Sequence, residues 1–201
     1  MIRVVVVDDE ALVRDALVAV LGMQEGIEVV GEAARGDEGA ALIAKVEPDV
    51  AVLDLQMPGL DGIETAVAAA RTSPKTRCIV VTSHARPGYL KKALASGVAG
   101  FVPKTTPARA LADVIRQVAA GGRYVDPSLS AEAIAAGDSP LTPREADVLE
   151  LAAAGTPVEE IAQRAHLSPG TVRNYLSSAV AKLGVSNRHE AVKAAQARGW
   201  I

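Results

Sequence analysis

Asp54 closes the apolar run Val50-Ala51-Val52-Leu53, which places a carboxylate at the carboxyl end of a buried parallel strand, where open α/β sheets hold their ligands. Three other strand-like runs end in complementary chemistry. Ile2-Arg3-Val4-Val5-Val6-Val7 leads into Asp8-Asp9, Ile79-Val80-Val81 into Thr82-Ser83, and Gly100-Phe101-Val102-Pro103 into Lys104. An acid pair, a lone acid, a hydroxyl and a lysine are therefore expected on one rim, although the chain separates them widely. That set suits a phosphoryl group and a hard cation. Mg²⁺ takes oxygen ligands in an octahedron and keeps some waters, so the carboxylates of Asp8, Asp9 and Asp54 with one backbone carbonyl would suffice. Asp54 could then attack phosphorus as a carboxylate nucleophile and become an acyl phosphate. Lys104 as a point charge and the Thr82 hydroxyl as a donor would hold the new phosphoryl oxygens. Taken singly, each residue has an ordinary reading as a helix cap, a strand end or a solvated loop charge. Four strand ends carrying complementary groups are what single out a site.

The elements that must position these groups follow from the pattern of the chain. Its 201 residues, 49% of them hydrophobic, fit two small domains with real cores. Aromatics make up only 2%, which leaves Ala, Val, Leu and Ile to build those cores and argues against single-stranded nucleic acid read by base stacking. The lone cysteine, Cys78, sits on an apolar strand, excludes an internal disulfide and suits a reducing compartment. No apolar run approaches the roughly 18 residues of a membrane span, so no membrane insertion and a cytoplasmic location are expected. Over the first 120 residues β-branched runs alternate with helical patterns, the signature of a doubly wound parallel sheet. Strands are expected near 2–8, 28–32, 50–54, 78–82 and 100–103, and helices near 11–22, 36–46, 62–71, 87–96 and 107–120. Gly121-Gly122 and the cluster Gly137-Asp138-Ser139-Pro140 break the pattern, marking a linker over 121–137 with some helix around 128–135. Beyond Leu141 only short helical patterns remain. His84, His166 and His189 are scattered and read as structural.

Asp8-Asp9, Asp54-Leu55-Gln56-Met57-Pro58-Gly59-Leu60-Asp61-Gly62, Thr82-Ser83 and Phe101-Val102-Pro103-Lys104 resemble the receiver domain of bacterial response regulators. The resemblance implies a five-stranded, flavodoxin-like α/β receiver over residues 1–120. It also implies Mg²⁺ held by Asp8, Asp9, Asp54 and the backbone carbonyl of Gln56, and phosphorylation of Asp54 by a sensor histidine kinase. Thr82 becomes the hydroxyl that moves toward the phosphoryl group, and Phe101 the aromatic switch that turns inward.

In the C-terminal part, Thr142 can cap a helix that has Pro143 in its first position, and Glu145 completes a capping box. A short helix from Val158 through Arg164 follows, and Ser168-Pro169 opens another. On that last helix Val172, Leu176, Val180 and Leu183 share one face, leaving Thr171, Arg173, Asn174 and Ser177 toward the other, as a helix entering a major groove requires. Residues 121–201 hold eight basic and nine acidic side chains, so no uniform basic domain exists. Five cations from Arg173 to Arg198 face only Glu190, however, and the acids gather at residues 138–160. Few phosphate contacts per subunit imply modest affinity and a need for dimerisation.

Leu141-Thr142-Pro143-Arg144-Glu145, Glu160-Ile161-Ala162, Leu167-Ser168, Thr171-Val172-Arg173 and Lys182-Leu183-Gly184-Val185 resemble the LuxR-type helix-turn-helix. With the receiver motifs they point to the NarL/FixJ family, and His84-Ala85-Arg86-Pro87-Gly88-Tyr89-Leu90 resembles a DesR-like subgroup of it. The family resemblance implies an all-α DNA-binding domain over 138–201. Arg173, Asn174 and Ser177 would reach the groove of promoter DNA, with Thr171 and Lys182 at phosphates. It implies a homodimer formed on phosphorylation, contact with the transcription machinery, and no enzymatic role. Phosphorylation could act by dimerisation or by release of the DNA-binding helix; both stand at this point. The rival from another class is an aspartate-nucleophile phosphatase, which needs a second acid two residues beyond Asp54. Gln56 stands there and cannot do that work.

Overall fold

The computed structural model describes residues 1–83, 87–137, 139–198, 200 and 201. His84, the rest of segment 84–86, the domain boundary at Asp138, and Gly199 lie outside the described residues. Contacts fall into two compact units. One runs from Met1 to Pro127 apart from a short segment before Lys91, and the other is built on Ser128–Ile201.

In the first unit β1 (Ile2–Val7), β2 (Ile27–Ala33), β3 (Val50–Asp54), β4 (Arg77–Thr82), β5 (Gly100–Pro103) and β6 (Tyr124–Val125) form one parallel sheet in the order β2-β1-β3-β4-β5-β6. Helices α1 (Ala11–Gly22), α2 (Gly36–Val46), α3 (Gly62–Thr72), α4 (Pro87–Ala95) and α5 (Ala108–Ala119) make the connections. The expected five strands fall one short. Tyr124 and Val125 pair with Gly100 and Phe101 inside the stretch read as linker. Two residues carry no periodicity to read, yet they cover the edge that β5 would otherwise leave unpaired. Tyr124 N donates to the Ala99 carbonyl at 2.9 Å and Asp126 N to that of Phe101 at 3.0 Å.

Strand alternation directs Val4, Val6, Val50, Val52, Ile79, Val81 and Val102 to one core, where Leu21 of α1 and Leu111, Ile115 and Val118 of α5 meet them. The intervening Val5, Val7, Leu53, Val80 and Phe101 are buried as deeply toward the opposite face. There α2 packs so closely that a Cβ on Gly39 would come within 2.8 Å of the Val7 methyls. Burial on both faces explains why these strands read as continuous apolar runs. Asp61 caps α3 in a capping box with Glu64. A Cβ on Gly62, the first residue of α3, would sit 2.2 Å from the Asp54 carbonyl oxygen, an approach that only glycine permits.

The second unit contains α6 (Pro127–Ala136), α7 (Pro143–Leu151), α8 (Val158–Arg164), α9 (Pro169–Leu183) and α10 (Arg188–Ala197). The helix expected around 128–135 is thus ten residues long. The α7 capping box forms as read: Glu145 N donates to Thr142 Oγ1 at 3.3 Å and Thr142 N to Glu145 Oε2 at 2.7 Å. Ser168 caps α9 by accepting from Thr171 N at 3.1 Å. The tight turn between α8 and α9 passes through His166 at φ 54°, in the left-handed region, and closes with Leu167 N donating to the Ala162 carbonyl at 2.8 Å. On α9 the buried face runs through Val172, Leu176 and Ala179, with Val180 and Leu183 half-buried beside it. Among the described residues no helix is long and apolar enough to cross a membrane.

Candidate functional site

The strand order reverses between β1 and β3, and a crevice opens outside the strand ends at such a point. Val7 pairs with Leu53, so the next residues along the two strands, Asp8 and Asp54, stand across it from one another. On the adjoining strands Thr82 pairs with Pro103, and Lys104 N donates to the Thr82 carbonyl at 2.7 Å. Carboxylate oxygens of Asp8, Asp9 and Asp54 all lie within 4.8 Å of one another. Lys104 Nζ is 2.9 Å from Asp8 Oδ2 and 3.3 Å from Asp54 Oδ2. Thr82 is buried at the end of β4, Phe101 is fully buried on β5, and Gln56 is exposed two residues beyond Asp54.

Burial is the main reason that the Asp54 carboxyl is pushed up to about 7; the Lys104 charge opposes the rise, and Asp8 and Asp9 add to it. Asp8, fully buried, is raised for the same first reason, against Lys104 and the Glu10 N–H. Burial alone would lower the Lys104 ammonium, but Glu10, Asp54 and Asp8 together hold it above its ordinary range. These residues fit a divalent cation. Asp8 Oδ1 accepts from Glu10 N at 2.9 Å, whereas buried Oδ2 lies 2.9 Å from the Lys104 ammonium and, among the described residues, makes no directed hydrogen bond. A buried carboxylate oxygen without such a bond, inside a trio of close carboxylates, is a ligand set suited to Mg²⁺.

Two neighbours escaped the sequence reading. Glu10 Oε1 accepts from Lys104 Nζ at 2.7 Å. Arg14 Nη1 donates to the Asp8 carbonyl at 2.8 Å, while its Nε lies 3.8 Å from Glu32. A signal for Glu10 existed, because it follows the acid pair and glutamate is a poor helix cap. It stands at the N-cap of α1 without a side-chain capping bond.

On α9, Arg173, Asn174, Ser177 and Lys182 are exposed and Thr171 is half-buried. Their surroundings differ from the bare polar face that the pattern implied. Arg173 Nη2 meets Glu159 at 3.1 Å, the Thr171 hydroxyl meets that of Ser168 at 2.8 Å, and Lys182 Nζ donates to Glu145 at 2.7 Å. Glu145 is buried, and Ser178 Oγ also donates to it at 2.6 Å. Burial, the largest influence, pushes its carboxyl up, but Lys182, Ser178 and Thr142 outweigh that and hold it below its ordinary range.

A doubly wound sheet with this acid rim, followed by a capped helix-turn-helix unit, defines a two-component response regulator that binds DNA. Residues 4–116 match the response regulator receiver domain, and residues 139–195 match the bacterial regulatory proteins of the luxR family. The chain is 39% identical to the transcriptional regulatory protein DesR of Bacillus subtilis (strain 168) over 201 residues, covering 100% of both. It is 40% identical to the response regulator RamR of Streptomyces coelicolor, covering 100% of this chain and 98% of that protein. Among solved structures, RcsB of Salmonella typhimurium aligns with TM-score 0.63 and 28% identity over 98% of each chain. A complex of the response regulator RcsB with DNA aligns with TM-score 0.62 and 29% identity over 96% of this chain and 98% of that one. The chain belongs to the LuxR-type, NarL/FixJ family of response regulators, whose members regulate transcription and are not enzymes.

Proposed function

We propose that Asp54 is the phosphoacceptor for a sensor histidine kinase and that its phosphorylation promotes receiver dimerisation and sequence-specific binding to promoter DNA. The observation that carries this reading is the convergence of Asp8, Asp9, Asp54, Thr82 and Lys104 on one rim. An Asp54 carboxylate oxygen attacks phosphorus of a phosphohistidine. The new P–O bond forms as the P–N bond breaks, and the electron pair leaves with the imidazole, which takes up a proton. Lys104 supplies a positive charge to the phosphoryl oxygens and Thr82 a hydroxyl donor. Asp8, Asp9, Asp54 and the Gln56 carbonyl would hold Mg²⁺, which when bound offsets the repulsion among the acids and draws charge from the phosphoryl group. Recruitment of Thr82, with Phe101 as the accompanying aromatic, biases the receiver surface toward the dimer through differential contacts.

The receiver comprises residues 1–120, with β6 of the following stretch closing its sheet edge, and residues 138–201 form the DNA-binding domain. Arg173, Asn174 and Ser177 read base edges, with Thr171 and Lys182 at phosphates. Joining two weak DNA modules makes the second contact effectively intramolecular, which raises apparent affinity by ~10²–10⁴. The protein acts in the cytoplasm, with the transcription machinery as its downstream partner.

The test is intact mass and light scattering on the purified chain with Mg²⁺, before and after acetyl phosphate, with Asp54→Ala in parallel. One added phosphoryl group on wild type alone, with a shift from monomer to dimer, is the expected result. Absence of uptake would reduce the receiver to a scaffold, and uptake without dimerisation would shift the mechanism to release of the DNA-binding domain.

A further inference from the structure

Lys104 has one partner that the phosphoryl reading leaves without a task. Its Nζ lies closer to Glu10, at 2.7 Å, than to Asp8 at 2.9 Å or Asp54 at 3.3 Å. Glu10 is the acid of this group that does not belong to the carboxylate trio. Its side chain is 58% exposed, whereas that of Lys104 is 11% exposed. It occupies the N-cap of α1 without capping it, as suits a glutamate, whose longer side chain is not among the preferred caps. The carboxylate instead reaches across 94 positions of sequence to the lysine. Its own N–H donates to Asp8 Oδ1 at 2.9 Å, and Arg14 N donates to its carbonyl at 2.9 Å, so the backbone beneath the carboxylate is fixed.

We propose that Glu10 is a positioning residue that holds Lys104 at the outer edge of the site and competes with the incoming phosphoryl group for it, setting the rate at which Asp54 is phosphorylated. The proposal rests on the reading of Asp54 as phosphoacceptor. When phosphorus approaches Asp54, Lys104 must give up a contact made in the resting state for one to a phosphoryl oxygen. An interaction present in the resting state and weakened in the transition state slows the step. Because Glu10 is largely solvated, the pairing is modest, and its removal should change the rate by about 2–5-fold. The Lys104 contacts with Asp8 and Asp54 remain in a Glu10 variant, so the lysine stays in place to serve the phosphoryl group.

The experiment follows phosphoryl uptake by time-resolved intact mass in Mg²⁺ for wild type, Glu10→Gln and Glu10→Ala, with acetyl phosphate and with the less charged phosphoramidate. In parallel, the Lys104 side-chain ammonium is observed by NMR without Mg²⁺ or phosphodonor. Failure of wild type to take up a phosphoryl group would sink the phosphoacceptor reading itself. Given uptake by wild type, both variants should be faster by about 2–5-fold with either donor, and the Lys104 ammonium signal should lose protection from exchange. Equal or slower uptake in the variants would overturn the role of Glu10. Acceleration confined to acetyl phosphate would also overturn it, because the glutamate would then act only by repelling a charged donor. An unchanged ammonium signal would likewise show that Glu10 does not hold the lysine.

Discussion

Asp54, at the end of β3, and Glu145, in the first turn of α7, are each 4% exposed, and each has a lysine beside it. Their charge states are pushed in opposite directions. Glu145 accepts from Thr142 N, Ser178 Oγ and Lys182 Nζ, all within 2.7 Å, so its ionised form is nearly fully satisfied. Asp54 has Lys104 at 3.3 Å, shared with Asp8 and Glu10, and stands beside two further acids. Similar exposure therefore accompanies two outcomes: at Asp54 desolvation prevails over the one shared lysine, and at Glu145 the donors prevail over a weaker desolvation. A carboxylate with a complete set of donors holds a structure together. One buried without that set destabilises the resting fold and stays available to a cation or an electrophile.

The largest effect expected from this contrast concerns Asp54. Its folded value of about 7 lies above the ordinary 3.8, so the folded state binds a proton that the unfolded chain has already released. Without Mg²⁺, wild-type stability should then fall as pH rises from about 4 to about 7 and level off above. Asp54→Asn removes the Asp54 share of that fall, leaving the share of Asp8, whose carboxyl is also raised, and should exceed wild type above pH 7 by about 1–4 kcal/mol in urea unfolding, a gap that added Mg²⁺ narrows. A less stable Asn variant would break the comparison.

Glu145 should behave in the opposite sense. Its folded value is depressed below 4.5, so its contribution is complete above that value and is lost as pH falls through the lower folded one. Glu145→Ala should destabilise the C-terminal unit by about 2–3 kcal/mol at neutral pH, through the lost cap and the lost acceptor of Thr142 N and Ser178 Oγ, and should flatten the acid limb of its unfolding curve. Thermal unfolding across the acid range checks both.

The smallest effect falls on Lys182, whose side chain is 37% exposed and whose ammonium has donors to spare beyond the one on Glu145. Lys182→Ala should cost under about 1 kcal/mol of stability and lower the salt dependence of DNA binding by about one phosphate. Lost stability with an unchanged salt slope would make this lysine structural alone.

Much of the site was legible because strand ends are legible. Val50–Leu53 announces a buried strand, and parallel strands deliver their terminal residues to one rim, so Asp8, Asp54, Thr82 and Lys104 could be grouped before any distance was known. Thr142-Pro143-Arg144-Glu145 was equally readable, since a capping box depends on three consecutive intervals of backbone. Glu10, Arg14 and the second task of Glu145 were not. Their partners lie 94, 6 and 37 positions away, and each pairing depends on side-chain reach across elements rather than on a repeating pattern. β6 was missed for a related reason: two residues become a strand only where an edge awaits them.

What the sequence determined by itself was the alternation of elements, their caps, and the residue types placed at each strand end, because these follow from local backbone preference and hydrophobic period. Only the tertiary structure decided which charges became neighbours and how completely each was satisfied. Those outcomes depend on desolvation and on distances of a few ångströms between segments far apart in the chain, and they separate Asp54, poised for chemistry, from Glu145, committed to the fold.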